Sequence, residues 1–339
     1  MPLQTTRLLK DKPLMNTRRQ FLTRTGLAAA GLVYSPLCAD QRDRKLETRN
    51  PWIYHFKIGE IDAWSISDGF MHFGQGLSLM YPVSEREKMV QALKLHREPI
   101  DKIPLYVNVL VIKRDKEVAI FDAGFGGVPN NRKGWLSEAM KKIGIKPEQI
   151  TISFLSHCHV DHIEGFVADG KPAFPNAALH ITPEEFAFWR AKEPDFSLTK
   201  RNPKSIPSMV KMAKRNLEIL NPQKVLTKVG SELLGGAVTV EDGFGHTPGH
   251  AIYRIKSGAE ELLHIVDLAH HHLLMFQNPN WAIGLDNIPK RAVQTRKRVF
   301  AQAASERTRC YGFHLPYPGL GVVTGNEKSY QWKPERLEW

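Results

Sequence analysis

Apolar and polar residues follow two different spacings along this chain, and together they predict a mixed α/β fold. Apolar runs typical of strands occur at residues 53–58, 61–66, 105–112, 118–121, 150–155, 237–240, 262–267 and 310–314. Stretches compatible with helices occur at residues 84–96, 135–143, 184–191, 209–220 and 290–304. Because strands and helices alternate in both halves, we expect two layers that each combine strands with helices.

The sequence also indicates one domain rather than several. It contains no internal repeat and no low-complexity segment. Residues 40–51 are charged and end in proline, which is typical of a linker, so residues 52–339 are expected to form a single domain. At the start of its first helix, Ser84 and Glu87 have the spacing of a capping box.

The first 39 residues resemble a twin-arginine export signal. Arg18 and Arg19 precede a weakly apolar stretch at residues 26–33, and Ala39 marks a cleavage position. We therefore expect export to a bacterial periplasm. Leu37 fits the cleavage site poorly, and Met15 is an alternative start. The apolar stretch is shorter than the roughly 20 residues that span a bilayer, so no membrane anchor is expected.

Charge narrows the range of partners. Removal of residues 1–39 leaves 41 Lys/Arg and 34 Asp/Glu residues, an excess of +7. The basic residues are scattered and lack interleaved aromatic residues, so nucleic acid is not an expected partner. A small-molecule substrate with hydrophobic groups is expected instead. A homodimer is compatible with the sequence, which does not settle the oligomeric state.

One short segment carries most of the chemical information. His157, His159, Asp161 and His162 lie within six residues, directly after the apolar run at 150–155. A turn after a strand can hold the first two on one side and the last two on another. Burying this many imidazoles and a carboxylate without a metal or ion partners would cost several kcal/mol. The segment therefore predicts metal binding, divided between two ions.

Further candidate ligands follow later strands. His246 and His250 lie in the sequence Gly-His-Thr-Pro-Gly-His after the run at 237–240, Asp267 ends the run at 262–267, and His314 ends the run at 310–314. Functional side chains collect at the carboxyl ends of strands in layered α/β folds. We therefore expect these residues to meet the 157–162 segment.

This order of motifs resembles the metallo-β-lactamase superfamily, whose fold is an αββα sandwich. The resemblance covers nearly all of the chain after about residue 50. It is strongest to the exported members that are similar to methyl parathion hydrolase, because residues 120–124, 173–177, 188–189 and 314–319 also match in order.

The resemblance implies a role for each candidate residue. His157, His159 and His246 would bind one metal ion, Asp161, His162 and His314 would bind the other, and Asp267 would bridge the two. His250 would support the ligands without binding metal. Asp122 would support a ligand loop, although capping the turn at Gly124 is an equally good interpretation.

The implied activity is hydrolysis of an ester, lactone or phosphotriester bond. Two divalent ions lower the pKa of a bridging water, so that hydroxide is available to attack. Asp267 would hold both ions, and Asp161 would orient the hydroxide or carry a proton to the leaving group. Zinc is the expected metal, with iron, manganese or cobalt as alternatives.

The sequence departs from the family pattern at Glu164 and at residues 270–272, and it also indicates an apolar pocket. Glu164 stands where relatives usually have a small residue, and it is interpreted as a solvated loop charge. The three histidines at 270–272 are interpreted as substrate-side or surface residues, because adjacent side chains cannot all face one site. Phe125 and Trp189 are candidates for the wall of an apolar pocket, among the loop-borne large apolar residues Phe70, Met71, Phe73, Leu77, Met80, Tyr81, Phe186, Phe188, Phe276 and Trp281.

Two other functions are compatible with the motifs. Persulfide dioxygenases of the same superfamily use one iron and a related set of His and Asp ligands, so an oxidoreductase is one alternative. A binding protein without activity is another. The presence of Asp161, His162 and His314 favours two metals and hydrolysis over both.

Overall fold

The structure, a computed structural model, describes residues 52–72, 76–127 and 132–337. The signal segment at 1–39 and the linker at 40–51 lie outside the described residues. The strands of the described part are β1 Ile53–Ile58, β2 Ile61–His72, β3 Met80–Tyr81, β4 Pro104–Arg114, β5 Glu117–Phe121, β6 Ile152–Phe154, β7 Val167–Ala168, β8 Lys171–Pro172, β9 Ala178–Ile181, β10 Lys224–Leu226, β11 Glu232–Leu233, β12 Val238–Asp242, β13 Ala251–Ser257, β14 Glu260–Val266, β15 Ala282–Ile283, β16 Arg309–Gly312, β17 Leu320–Asn326 and β18 Ser329–Pro334.

The helices lie between these strands, as the apolar spacing predicts. The α-helices are α1 Arg86–Leu95, α2 Leu136–Lys142, α3 Val160–Ile163, α4 Pro183–Arg190, α5 Ile206–Leu220, α6 Leu274–Gln277 and α7 Pro289–Glu306. Short 3-10 helices span Gly76–Leu79, Val83–Glu85, Pro147–Gln149, Glu164–Phe166, Pro203–Ser205 and Asn221–Gln223. Within the described ranges, no helix combines the length and the hydropathy that crossing a membrane requires.

Two large sheets form the centre of the fold. One has the strand order β1-β2-β4-β5-β6-β9-β10 and the other β11-β12-β13-β14-β16-β17-β18. Aromatic side chains of the two sheets pack against each other, with the ring of Tyr253 lying 5.0 Å from that of Phe121 and 5.2 Å from that of Phe154. Helix α2 contacts β2 of the first sheet and α7 contacts β17 of the second. The predicted αββα sandwich is therefore confirmed.

Apolar and polar residues alternate little along the central strand β4. Strand β4 is buried over Val107–Ile112, because one of its faces contacts the opposite sheet and the other is covered. A strand buried on both faces has an almost continuous apolar run. Strand β2 extends to His72, beyond the predicted end at residue 66, because its polar end pairs with β4 from Pro104 to Asn108.

The predicted capping box at the first helix is wrong. Ser84 lies in the 3-10 turn Val83–Glu85, and helix α1 begins only at Arg86 with Glu85 as its N-cap. No side-chain hydrogen bond caps this end. The 3-10 turn that follows Pro82 leads directly into the helix. Ser84 therefore lies one residue before the N-cap position and cannot cap the helix.

A histidine in the sandwich core makes the fold sensitive to acid. His264 is fully buried beside Phe121 and Tyr311, and its Nε2 has no hydrogen-bond partner. Burial lowers the pKa of His264 to about 3, whereas an unfolded histidine titrates near 6.5. Below about pH 6.5, His264 is therefore protonated in the unfolded chain but not in the folded chain. The free energy of unfolding falls as the pH decreases toward 3.

We expect His264→Leu to flatten this pH dependence. Between about pH 7.5 and 5.5 the variant should lose about 1.4 kcal/mol less unfolding free energy than the wild type, since one proton fewer is linked to unfolding. The measurement is urea unfolding of both metal-free proteins across that range. His96→Gln, at an exposed position, is the control. Parallel curves for His264→Leu and the wild type would contradict the assignment.

Candidate metal centre

The 157–162 segment leaves the end of β6 and turns into helix α3. Asp122 fixes the start of this turn, because its carboxylate accepts hydrogen bonds from the backbone N–H and the hydroxyl of Ser156, at 2.8 and 2.7 Å. His159 then precedes the first turn of α3, in which Asp161 and His162 lie. The backbone changes from extended at His159 to helical at Asp161 and His162, and the ring of His162 packs 4.0 Å from that of His157.

Four side chains form the first group of candidate ligands. His157, His159, His246 and Asp267 are buried, and one potential ligand atom from each lies within 4.8 Å of all the others. Nδ1 of His159 lies 2.9 Å from Nε2 of His157 and 2.9 Å from Nε2 of His246. Three imidazole nitrogens that converge in this way provide the lone pairs that a divalent cation requires.

Asp161, His162 and His314 form the second group, which is also buried and lies within the same limit of 4.8 Å. Asp267 lies between the two groups. Its Oδ1 is 3.3 Å from Nε2 of His162, and its Oδ2 is 3.1 Å from Nε2 of His314 and 3.2 Å from Nε2 of His246. The one carboxylate therefore faces both groups, which is the position that a bridging ligand needs.

The polar atoms of this centre fit two divalent cations. Nε2 of His162 and Oδ1 of Asp267 are buried and have no hydrogen-bond partner. Leaving buried polar atoms unpaired costs about 1–3 kcal/mol each, and more for a charged group. Metal ions bound by both groups would satisfy these atoms, and imidazole and carboxylate are ordinary ligands for divalent zinc, iron, manganese and cobalt.

The electrostatics of three of the candidate ligands, His157, His159 and Asp267, agree with this fit. Burial lowers the pKa of His157 and of His159 well below the usual value, so both rings are neutral and their nitrogens can bind metal. Burial acts to raise the pKa of Asp267, but the surrounding rings of His314 and His162 hold it well below its usual range. Asp267 is therefore a carboxylate anion, the form in which it could bind metal.

Partners outside the centre hold most of the ligand rings in place. Nδ1 of His162 lies 2.8 Å from Asp122, Nδ1 of His246 lies 2.8 Å from Asp286, and Nδ1 of His314 lies 2.6 Å from the carbonyl oxygen of Tyr106. Each contact places the ring proton on Nδ1 and leaves Nε2 directed at the centre. Asp286 carries no motif that could have identified it in the sequence.

The structure separates the two interpretations of Asp122. Its carboxylate contacts Ser156 and His162 and so supports the ligand loop. The turn at Gly124 is held instead by Asp68, which accepts the backbone N–H of Phe125 at 2.7 Å and that of Leu136 at 2.7 Å.

His250 lies beside the bridging carboxylate. Burial lowers its pKa to about 3, so the ring is neutral. Its Nδ1 donates to the carbonyl oxygen of Gly243 at 2.7 Å, and its Nε2 accepts the backbone N–H of Asp267 at 3.4 Å. Both ring nitrogens are therefore occupied by backbone groups, which is the supporting position that the sequence predicts.

Of the three adjacent histidines, His270 lies on the substrate side, where it lines the cavity at the centre, whereas His271 is buried and neither lines this cavity nor lies on the surface. His270 is buried, its Nε2 lies 3.1 Å from Oδ2 of Asp267, and it forms a third cluster with Asp267 and His314. His271 is buried and accepts backbone N–H groups at the start of α6. His272 pairs with Glu98 at 3.1 Å. The rings of His271 and His272 stack at 4.9 Å, whereas His270 alone of the three contacts the ligand groups.

Two residues in or next to the 157–162 segment, Glu164 and Cys158, have contacts away from the ligand atoms. Glu164 accepts hydrogen bonds from Arg215 and Asn216 of α5 at 2.5 and 2.8 Å, so it joins two helices instead of extending into solvent. Cys158 is fully buried, and burial raises the pKa of its thiol well above the usual value. Because a buried thiol stays protonated, Cys158 is a poor nucleophile.

A cavity of about 500 Å³ opens onto the centre. Its polar wall includes ligand candidates from both groups together with His270, His72, Arg201, Ser205 and Ser208. Its apolar wall consists of Met71, Leu79, Leu105, Val160, Met209, Met212 and Leu285. A second cavity, of about 470 Å³, lies beside α2 and contains none of the candidate ligands.

The aromatic pocket wall that the sequence predicts is not the wall of this cavity. Trp189 is fully buried, donates to Glu185 at 2.6 Å and packs against the ring of His159. Phe125 is buried in the loop that Asp68 holds. Among the described residues of the predicted wall, Met71 alone lines the cavity. Phe125, Trp189, Phe276 and Trp281 are buried, because burying large aromatic side chains stabilises the fold strongly.

Comparisons with known proteins agree with the fold and the centre. The family model of the metallo-beta-lactamase superfamily matches residues 103–272, half of the chain. The structure is similar to AidC, described as a dizinc quorum-quenching lactonase in complex with the product N-hexanoyl-L-homoserine, at 28% identity and a TM-score of 0.81, over 85% of this chain and 99% of that one. A search of curated proteins found no significant match.

Two further structures are similar. The hydrolase AbOPH of the beta lactamase superfamily is 26% identical with a TM-score of 0.77, over 86% of this chain and all of that one, 100%. A probable metal-dependent hydrolase from Staphylococcus aureus is 17% identical with a TM-score of 0.65, over 83% of this chain and 100% of that one. The last similarity concerns the fold alone.

Proposed function

Because the chain belongs to the metallo-β-lactamase superfamily, we propose that it is a hydrolase that uses two divalent metal ions to open an ester, lactone or phosphotriester bond. The observation that carries the proposal is the position of Asp267, whose two oxygens face both groups of candidate ligands. A lactone or carboxylic ester is the favoured substrate, since the similar protein AidC is described as a lactonase.

The residues of the centre divide the chemical tasks among them. The two ligand groups would hold two divalent ions, which when bound would supply an activated water and a Lewis acid for the substrate oxygen. Asp267 contacts ring nitrogens of both groups. Asp122, Asp286 and the carbonyl oxygen of Tyr106 keep the rings of His162, His246 and His314 oriented. Asp161 lines the cavity, so its carboxylate is placed to orient the nucleophile and to carry a proton to the leaving group.

Zinc is the metal that we propose. The seven ligand candidates form two compact groups of buried His and Asp side chains, four in the first and three in the second, and Asp267 of the first group also faces the second. Nitrogen and oxygen donors in such groups suit zinc, and AidC is described as a dizinc enzyme. Iron, manganese and cobalt accept the same donors, so metal analysis of the purified protein decides among them.

The cavity favours a substrate with an apolar group. Its apolar wall contains three methionines, Met71, Met209 and Met212, and methionine side chains adapt to different shapes. A volume of about 500 Å³ is in the range of roughly 300–1,000 Å³ that holds small ligands. An aryl group or a short acyl chain attached to the scissile ester meets both conditions.

The experiment that tests this function is a substrate panel on metal-analysed protein. It contains aryl esters, acyl-homoserine lactones and paraoxon-type triesters. The proposal expects metal-dependent turnover of at least one class, highest for the lactone or the carboxylic ester with an apolar group. Absence of metal-dependent hydrolysis across the panel, combined with thiol-dependent oxygen uptake, would instead identify an iron oxidoreductase.

Arg201 is the cationic side chain of the cavity, and we expect it to bind an oxygen of the substrate. Its guanidinium donates to the carbonyl oxygen of Leu285 at 3.1 Å and lies 2.8 Å from Nε2 of His159, whereas its buried Nε has no hydrogen-bond partner. Loss of a hydrogen bond from a charged group costs about 1.5–3 kcal/mol. Arg201→Met should therefore raise KM roughly tenfold or more.

Steady-state kinetics on the best substrate of the panel measure this effect. Lys204→Met, at an exposed position next to the same loop, is the matched control and should leave KM unchanged. Metal content is measured in parallel, because Arg201 also contacts a candidate ligand. An unchanged KM in Arg201→Met at full metal content would contradict a role in substrate binding.

A further inference from the structure

The first ligand group joins two segments that are distant in sequence. His157 and His159 follow β6 of the first sheet, whereas His246 follows β12 of the second. A metal site requires its ligands at fixed separations. Some group in the protein must therefore hold these two segments together, and the sequence motifs do not show which one.

Glu185 of helix α4 lies between the two segments. It is fully buried. One carboxylate oxygen, Oε1, accepts the backbone N–H of Cys158 at 3.0 Å and the indole N–H of Trp189 at 2.6 Å. This oxygen is therefore bound to the middle of the His157–His159 segment.

The other oxygen is bound to the second segment. Oε2 of Glu185 accepts the hydroxyl of Thr247 at 2.5 Å and the backbone N–H of Gly249 at 3.1 Å. Helix α4 makes one further contact here, because the hydroxyl of Thr182 donates to the carbonyl oxygen of Gly249 at 2.6 Å. Gly249 has no room for a side chain, since an added Cβ would lie 2.1 Å from the backbone nitrogen of Glu185.

The local sequence shows that the helix itself does not need this carboxylate. Thr182 is the N-cap of α4 and accepts the backbone N–H of Glu185 at 3.3 Å. In a capping box, the side chain of the third helical residue returns to the N–H of the cap residue. Here the carboxylate of Glu185 is bound to Cys158, Thr247 and Gly249 instead.

A buried carboxylate is costly unless its oxygens are fully bonded. All four contacts of Glu185 are donors, and they are divided equally between the two oxygens. An amide in the same place would present an NH₂ group to two of these donors. These four donors therefore favour a carboxylate over an amide of the same shape.

We propose that Glu185 is a positioning residue that locks the His157–His159 segment to the segment carrying His246, and that it thereby sets the metal affinity of the first ligand group. The link between the segments follows from the hydrogen bonds alone. The effect on metal affinity rests in addition on the proposed function. Asp122 has the corresponding position beside His162 of the second group.

Hydrogen exchange of the metal-free protein tests the link between the segments. Glu185→Gln should speed amide exchange in residues 156–163 and 245–251 by roughly tenfold or more, because losing bonds to a buried carboxylate costs about 1.5–3 kcal/mol. Exchange in β4 should not change. Glu184→Gln removes the same charge from the exposed neighbouring position and should leave all segments unchanged.

Two results would overturn the link. One is unchanged exchange in both segments of Glu185→Gln, and the other is faster exchange by the same factor in β4, which would indicate general destabilisation. If Glu185→Gln does not fold, Thr247→Val replaces it. That variant removes one of the four donors, keeps the carboxylate, and should speed exchange in residues 245–251 by a smaller factor.

Chelator competition tests the effect on metal affinity. Glu185→Gln should weaken one of the two metal-binding steps by roughly 10- to 100-fold, as expected for a group that orients metal ligands, and should change the other step less. Glu184→Gln should match the wild type. Equal weakening of both steps, or of neither, would overturn this part of the inference. Absence of metal binding in the wild type would contradict the proposed function and leave the exchange result standing.

Discussion

Replacement of Asp267 by alanine is expected to remove both metal ions and to reduce turnover about a thousandfold or more, because several kcal/mol of transition-state stabilisation depend on the ions. Within the described part of the chain, Asp267 is the one carboxylate within about 3.3 Å of ring nitrogens from both ligand groups. Its loss also removes the carboxylate oxygens that lie 3.3 Å from Nε2 of His162 and 3.1 Å from Nε2 of His314. The measurements are metal content after dialysis and kcat/KM on the best substrate.

His250→Ala is the matched control for this variant. His250 lies in the same buried region and contacts the backbone of Asp267, but neither of its ring nitrogens faces the ligand groups. It should therefore retain most of its metal, while the stability of the protein falls through the lost packing. Equal metal loss in Asp267→Ala and His250→Ala would show that the ligand assignment is wrong.

Replacement of Asp161 by alanine is expected to remove one of the two metal ions and to leave the other bound. Asp161 belongs to the second group and is absent from the first, so the variant should retain about one ion per chain. Turnover should still fall by about a hundredfold or more, because Asp161 is also the group placed to orient the nucleophile and to carry a proton. Metal analysis and the same kinetic assay measure both effects.

Glu164→Gln provides the control for a nearby carboxylate. Glu164 follows α3 directly, but its contacts are with Arg215 and Asn216. It should keep both ions and most of the activity. Loss of both ions in Asp161→Ala would show that the two groups do not bind metal independently, and loss of metal in Glu164→Gln would show that this carboxylate supports the centre.

The sequence is sufficient to predict the frame of this protein and the convergence of the candidate ligands. Each ligand-bearing segment follows an apolar strand, and the ends of β6, β12, β14 and β16 meet at one side of the sandwich. The short-range pattern after β6 also separates His159 from Asp161, because helix α3 begins between them. The fold and the position of the ligand-bearing segments can be predicted because they depend on the local spacing of apolar residues and on the general tendency of functional residues to lie at strand ends.

The supporting residues and the cavity wall depend on contacts between distant parts of the chain. Asp286 reaches His246 from a loop 40 residues away, and Glu185 reaches Thr247 from a helix 62 residues away. His270 is directed inward by a turn that has no periodic pattern. Large aromatic residues such as Trp189 look like pocket residues in the sequence but pack in the core, whereas methionine and leucine side chains line the cavity.

The most direct test of the account is anomalous X-ray diffraction from crystals grown with the metal that the purified protein contains. We predict two peaks per chain, one beside His157, His159 and His246, the other beside Asp161, His162 and His314, with Asp267 in contact with both. A single peak per chain at full metal loading, or two peaks that do not share Asp267, would contradict it.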